Sequence, residues 1–448
     1  MFSTKTFRGG IHPPGKKEAT KEKWIVVLPM PQKVVIPLQQ HTGKRCDPTV
    51  AVGDTVTAGQ EIGAASGFIS APVHASISGK VTAIEELPHP VLGNGVLSIV
   101  IENVEGASSA EQWEADPSWE KLSPKELKEK IQKAGIVGMG GAAFPTHVKL
   151  SPPEGTNIDA VVLNGAECEP YLTTDYRIMI EKADEVLTGL SIILKVLGCK
   201  TAFIAIEKNK PTAISLLQER LLRLRATLFP ADDFRIEVLP LKVKYPQGAE
   251  KQLIKAVVNT EVPSGGLPFN VGIIVQNVGT AFAIYEAVVK NKPLIERVVT
   301  VSGEGIEQPQ NFLVRLGTPF SRVIEAAGGM KRVDTPHKIL MGGPMMGLAQ
   351  YNMEVPVVKG TSGILVLPDQ KKKAQRACIK CGKCVDHCPM MLLPSRIADF
   401  AERDDFVSCR EFSVTDCCEC GVCTFLCPSG RPIVHLVKYA KMHLLKNK

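Results

Sequence analysis

The stretch CIKCGKCVDHCP (378–389) comes back as CCECGVCTFLCP (417–428), and ten of the chain's thirteen cysteines crowd into residues 378–427. Each copy carries the spacing C-x2-C-x2-C-x3-C-P, through Cys378, Cys381, Cys384 and Cys388, then through Cys417, Cys420, Cys423 and Cys427. This spacing predicts two iron–sulfur cubanes: three close thiolates wrap one corner, and the fourth, displaced by an extra residue and a proline, reaches the other cluster. The ligand sets therefore cross. Cys378, Cys381, Cys384 and Cys427 would hold one [4Fe–4S] cluster, and Cys388, Cys417, Cys420 and Cys423 the other. Paired structural zinc sites also favour C-x2-C, but zinc has no use for the third and fourth cysteines at this pitch. Cys46, Cys168, Cys199, Cys409 and Cys418 fall outside the register and are expected to be buried apolar thiols.

Working outward, 448 residues are too many for one core and imply several domains. No apolar run is suited to crossing a membrane: 187–199 is short and carries Lys195, and 267–285 contains Pro268, Asn270, Gln276 and Asn277. The opening MFSTKTFRGGIHPPGKK has no apolar core of the kind a secretion signal needs, so a reducing cytoplasm is expected, where clustered cysteines read as metal ligands before disulfides. The net charge of +7 suits a slightly basic surface, an acidic partner or an anionic membrane face, and no nucleic-acid partner is expected.

Residues 1–115 read as a β-rich domain of short alternating runs such as GDTVTAGQEIG (53–63) and SISGKVTAIEE (76–86). The acidic linker VEGASSAEQWEADPS (104–118) follows. In SPKELKEKIQKAG (123–135), Ser123 and Glu126 form a capping box, Pro124 suits the first turn, and Leu127, Ile131 and Ala134 make a stripe ending at Gly135. Strands over 158–164, 201–207 and 234–240 then alternate with helices over 175–197 and 211–224, predicting a helix-covered parallel sheet in a domain spanning 116–264. A further β-rich domain occupies 265–360. The joint PDQKKKAQRA (368–377) leads to the cysteine domain, 366–448. Its last helix puts Ile433, Val437, Ala440 and Leu444 on one face, suited either to docking at a membrane surface or to packing on the cluster domain.

The glycine-rich stretch GIVGMGGAAFPTHVK (135–149) contains Gly138-x-Gly140-x-x-Ala143, but it follows a helix rather than a strand, so it is not an ordinary dinucleotide fingerprint. Its glycines let backbone N–H groups close on a phosphate or ring, with Lys149 to balance charge. A flavin here would join a two-electron nicotinamide to one-electron clusters.

These residues carry a resemblance. The glycine loop, then NGAECEP (164–170), YPQGAE (245–250) and NVGT (277–280), are similar in order to the NADH-oxidising flavoprotein subunit of respiratory complex I. The resemblance implies that Gly138, Gly140, Gly141, Lys149, Asn164, Tyr245, Gly248, Asn277 and Thr280 bind FMN. It further implies that Phe144, Glu167, Glu169 and Glu250 line the nicotinamide pocket, the three glutamates as its catalytic carboxylates. Ala166, Ala249 and Tyr171 depart from that family's pattern, where Asp, Glu and Gly are usual. The segment 50–85 also resembles the barrel-sandwich fold of biotinyl and lipoyl carriers, with Gly67, Phe68 and Ile69 where carriers place a modifiable lysine.

As a whole the chain resembles the RnfC family, a subunit of the Rnf complex, the ion-translocating ferredoxin:NAD oxidoreductase. That implies a multi-domain α/β plus β protein: a barrel-sandwich-like domain, a Rossmann-like flavin domain, a β-grasp (SLBB) domain and a two-cluster ferredoxin-like helical domain. It also implies two [4Fe–4S] clusters, FMN, NAD(H) as substrate, and a peripheral place on the cytoplasmic side of the cell membrane. The implied partners are integral and peripheral subunits, including a ferredoxin-like one. A soluble cobalamin-reductase-type flavoprotein would share much of this pattern without the GGIHPP opening, and an electron-relay adaptor would carry clusters with an empty glycine loop.

Overall fold

The computed structural model describes residues 5–104, 113–332, 336–369 and 374–446. Most of the linker 104–118 and the three lysines 371–373 lie outside these residues. No described helix is long and apolar enough to cross a membrane.

The first domain packs a four-stranded sheet, including Lys33–Pro37, Gly79–Pro88 and Gly95–Glu102, against a three-stranded one around Glu61–Ala64. Alternation decides the inward face: Val34, Ile36, Ile99 and Ile101 are buried with Val56, Ile62 and Val81. The turn carrying Phe68 leans on the next domain. Its ring meets His147 edge-on at 6.3 Å, and Thr42 Oγ1 donates to Ala142 O at 2.9 Å.

The capped helix forms as expected over Pro124–Lys133, with both halves of the Ser123–Glu126 box made and Leu127 and Ile131 buried. Gly135 ends it at φ 66°, and a Cβ there would lie 2.3 Å from Pro72 O. The parallel sheet has four strands, Ala160–Gly165, Thr201–Glu207, Arg235–Leu241 and Ile273–Asn277, in the spatial order third, second, first, fourth. Its last strand lies beyond residue 264, so the expected boundary between the second and third domains is corrected. A buried run such as IIVQN carries no periodicity to say which sheet it joins. The long helix expected over 175–197 is two, Thr174–Glu181 and Ala183–Leu197, broken at Lys182 where φ is −133°. The next helix runs on to Leu228.

The third domain is a six-stranded mixed sheet. It takes its edge strand, Ile25–Val27, from the segment assigned to the first domain, and Gly363–Pro368 from beyond residue 360. The cysteine domain packs Pro394–Ala401, Phe406–Glu411 and Ile433–Lys446 around Ile397, Cys409, Val414, Val437 and Ala440. Ile433, Val437, Ala440 and Leu444 are all buried, so the apolar face of the last helix is spent on its own domain and the membrane-docking reading is corrected.

Candidate flavin and iron–sulfur site

In a sheet of this order, consecutive crossovers leave the first strand in opposite directions, and ligands gather at the strand ends beside that switch point. Asn164 and Asn277 are register partners there, at the C-terminal ends of the first and fourth strands. The Asn277 side chain accepts from Gly279 N at 2.8 Å, capping the helix Val278–Val289, and donates to Asp175 at 2.7 Å. The glycine loop lies over this point. Met139 N donates to Thr280 Oγ1 at 2.9 Å, and a Cβ on Gly140 would stand 3.7 Å from that of Asn277. Gly138 N donates to Phe144 O and Thr146 N to Ile136 O, closing the loop at its base. At Gly141, φ is 115° and a Cβ would meet nothing within 4 Å, so the loop presents bare backbone to open space. Such a cradle fits a flat ring with a phosphate. Lys149 Nζ is 2.5 Å from Glu250 Oε1 at the start of the helix Glu250–Val258.

Asn164 Nδ2 donates to Gly248 O at 2.9 Å, and Gly248 N to Cys168 Sγ at 3.3 Å. Cys168 is thus half-buried at the site, packed against the apolar cluster of Ile11, Tyr245, Cys420 and Val422. Gln247, fully buried, has neither amide atom partnered; nothing in the motif had marked it. Glu169 accepts from Met345 N and Met346 N at 3.1 and 2.9 Å and lies 3.4 Å from the Tyr245 hydroxyl, and burial raises its pKa.

Glu167 differs from expectation. It adopts φ 46° and accepts from Asp175 N at 2.7 Å and Tyr176 N at 3.3 Å, at the N-terminus of the helix Thr174–Glu181. Its side chain is 3% exposed, so the carboxylate is committed to that helix end rather than offered to an open pocket. Burial pushes it up to about 7, with Lys17 opposing. The free carboxyl has a value of 4.5. A folded-state value above that means the stability from protonated Glu167 is complete below about pH 4.5 and lost as pH rises through about 7. Glu167→Gln is expected to flatten this slope, a difference of a few kcal/mol, read from unfolding midpoints at about pH 5 and about pH 8.

The two cysteine motifs are backbone copies. Lys380 and Glu419 have φ 55° and 57°, Gly382 and Gly421 75° and 77°, Met391 and Gly430 54° and 64°. Lys380 N and Glu419 N approach Cys378 Sγ and Cys417 Sγ at 3.4 and 3.3 Å. Arg376 N donates to Ser429 O, tying the start of the first motif to the end of the second. One apolar-walled cavity is lined by Cys388, Cys417, Cys420 and Cys423, the crossed set, with Cys418, Pro389 and Val422. Cys418, expected to be a buried apolar thiol, stands half-buried in this apolar wall. Among the described residues no three His, Cys, Asp or Glu side chains stand close enough to share one metal ion. Soft sulfur donors spread around an apolar-walled cavity fit a cubane, which takes one thiolate on each iron.

Site and cavity meet at Tyr245, whose hydroxyl donates to Cys420 O at 2.8 Å. Its ring packs with Ile11, Cys420, Val422 and Met345.

Known proteins share these features. Residues 5–105 match the family described as the RnfC barrel sandwich hybrid domain, 131–286 the Nuo51 FMN-binding domain, and 298–349 the SLBB domain. The chain is similar to the C subunit of the proton-translocating ferredoxin:NAD(+) oxidoreductase complex of Clostridium ljungdahlii, 46% identical over 98% of this chain and 93% of that one. It is 44% identical to the C subunit of the Na(+)-translocating complex of Acetobacterium woodii, over 98% and 97%. In fold it is similar to a chain of an NAD+-reducing [NiFe]-hydrogenase, with a TM-score of 0.52 and 16% identity, over 75% of this chain and 63% of the other.

Proposed function

Since the chain belongs to the family of C subunits of ion-translocating ferredoxin:NAD(+) oxidoreductase complexes, we propose that it is the flavin- and iron–sulfur-bearing subunit at which such a complex meets NAD(H). A bound FMN would exchange an electron pair with the nicotinamide and single electrons with two [4Fe–4S] clusters. In this reading Gly138, Gly140 and Gly141 cradle the flavin, Asn164, Asn277 and Thr280 hold the switch-point side, and Lys149, paired with Glu250, supplies the positive charge. Phe144 closes the loop base, Tyr245 and Gly248 form the wall toward the cysteines, and Glu169 orients that wall through the Tyr245 hydroxyl. Cys378, Cys381, Cys384 and Cys427 form the second ligand set. The protein docks on membrane partners, on the cytoplasmic side, and exchanges electrons with a ferredoxin-like one.

The observation that carries the reading is the hydrogen bond from Tyr245, in a flavin-lining segment, to the backbone of the cluster ligand Cys420. It joins the segment that lines the flavin site directly to the cysteine domain. Anaerobic titration of the reconstituted protein with NADH is expected to bleach the flavin absorbance and then the broad iron–sulfur absorbance. Brown protein whose flavin band NADH leaves untouched counts against it.

A further inference from the structure

Residues 9–17, which begin with the GGIHPP opening and form an irregular stretch, touch both sites. Gly9 has φ 76°, and a Cβ there would stand 2.7 Å from Cys388 O. Gly10 N donates to His387 O at 2.8 Å, and Ile11 exchanges two backbone hydrogen bonds with Tyr245, each 2.8 Å. Gly15 O then accepts from Tyr171 N. Lys17 Nζ donates to Glu167 O at 3.0 Å, Glu169 O at 2.9 Å and Leu172 O, and stands 4.0 Å from the Glu167 carboxylate. A nearly buried ammonium has three protons to place, and the carbonyls of one short loop take all three. That loop, 167–172, carries Glu169.

We propose that residues 9–17 are a brace that sets two positions at once: Lys17 holds the acidic loop, and Gly9 seats the Cys388 arm of the crossed cluster against Tyr245. Its two ends act on different readouts. The brace rests on the function proposed above, so the unaltered protein is measured first: if NADH does not reduce it, that function fails, and the brace is judged on the metal and thiol readouts alone.

At the lysine end, Lys17→Met removes the three donors while keeping the stem. It is expected to raise KM for NADH about tenfold with ferricyanide as acceptor and to leave kcat within about twofold. Because the change also leaves Glu167 without its counter-charge, Lys17→Met/Glu167→Gln is compared with Glu167→Gln alone. The same rise in KM across that pair supports the brace, and equal KM values overturn the role of Lys17. At the glycine end, Gly9→Ala adds a Cβ where Cys388 O stands and strains a left-handed residue. Gly53→Ala carries a comparable strain, at φ 102°, in open space, and serves as control. In metal-free protein, iodoacetamide is expected to modify Cys388 at least about threefold faster in Gly9→Ala than in Gly53→Ala, with buried Cys46 and Cys199 unchanged. In reconstituted protein, only one of the two cluster signals should change. Equal Cys388 reactivity and unaltered spectra in both variants overturn the role of Gly9.

Discussion

Cys388→Ala is expected to remove the cluster of the second cysteine motif and spare that of the first. By position Cys388 closes the first motif, yet it shares a cavity with Cys417, Cys420 and Cys423. Loss of one thiolate from a four-thiolate cubane leaves an iron without its protein ligand in an apolar wall that has no carboxylate or imidazole, and the one further thiol there, Cys418, is removed in the companion variant Cys388→Ala/Cys418→Ala. Iron should fall from about eight to about four per chain after anaerobic reconstitution, and the paramagnetic interaction between two cubanes should become the signal of one. Cys384→Ala should spare the other cluster, and the two residual spectra should differ. NADH-dependent ferricyanide reduction should survive in Cys388→Ala within about threefold if the acceptor takes electrons from the flavin directly, while reduction of a one-electron protein acceptor falls by more than about a hundredfold. Retention of about eight irons in Cys388→Ala/Cys418→Ala would defeat the crossed assignment.

The second large effect is expected at the glycine cradle. Gly141 has φ 115°, a conformation that L side chains rarely adopt, and beyond its two chain neighbours no residue has an atom within 4 Å of where its Cβ would be. Gly141→Ala should therefore meet no clash within the protein; its cost is backbone strain of about 1–3 kcal/mol and a methyl group standing where the cradle opens. The variant should fold, keep its iron, and bind FMN more than about tenfold more weakly, measured by fluorescence titration of flavin-stripped protein. Flavin affinity equal to that of the unaltered chain would remove the loop from the site.

Much of this organisation was legible because it is local. The capping box at Ser123 and the three-residue pitch of the cysteines act over one or two turns of chain, and each appears in the structure at the residues that encode it. The Asn164 and Asn277 motifs could be recognised as pieces, but that they stand side by side depends on strand order. A buried strand such as Ile273–Asn277 pairs where the core needs it, with no mark in its own residues. Glu167 read as a pocket carboxylate because it neighbours Glu169, and only the arrival of the helix Thr174–Glu181 turns it into a cap. Lys17 carried no signal, since three carbonyls 150 residues away become its partners only once an irregular segment is threaded between sheet and cysteine domain. The sequence by itself determined the candidate ligands and their register, because spacing and periodic burial are short-range properties. The tertiary structure alone decided how the glycine-loop site and the cysteine domain are held together, because that contact is made by loops whose partners are distant in the chain.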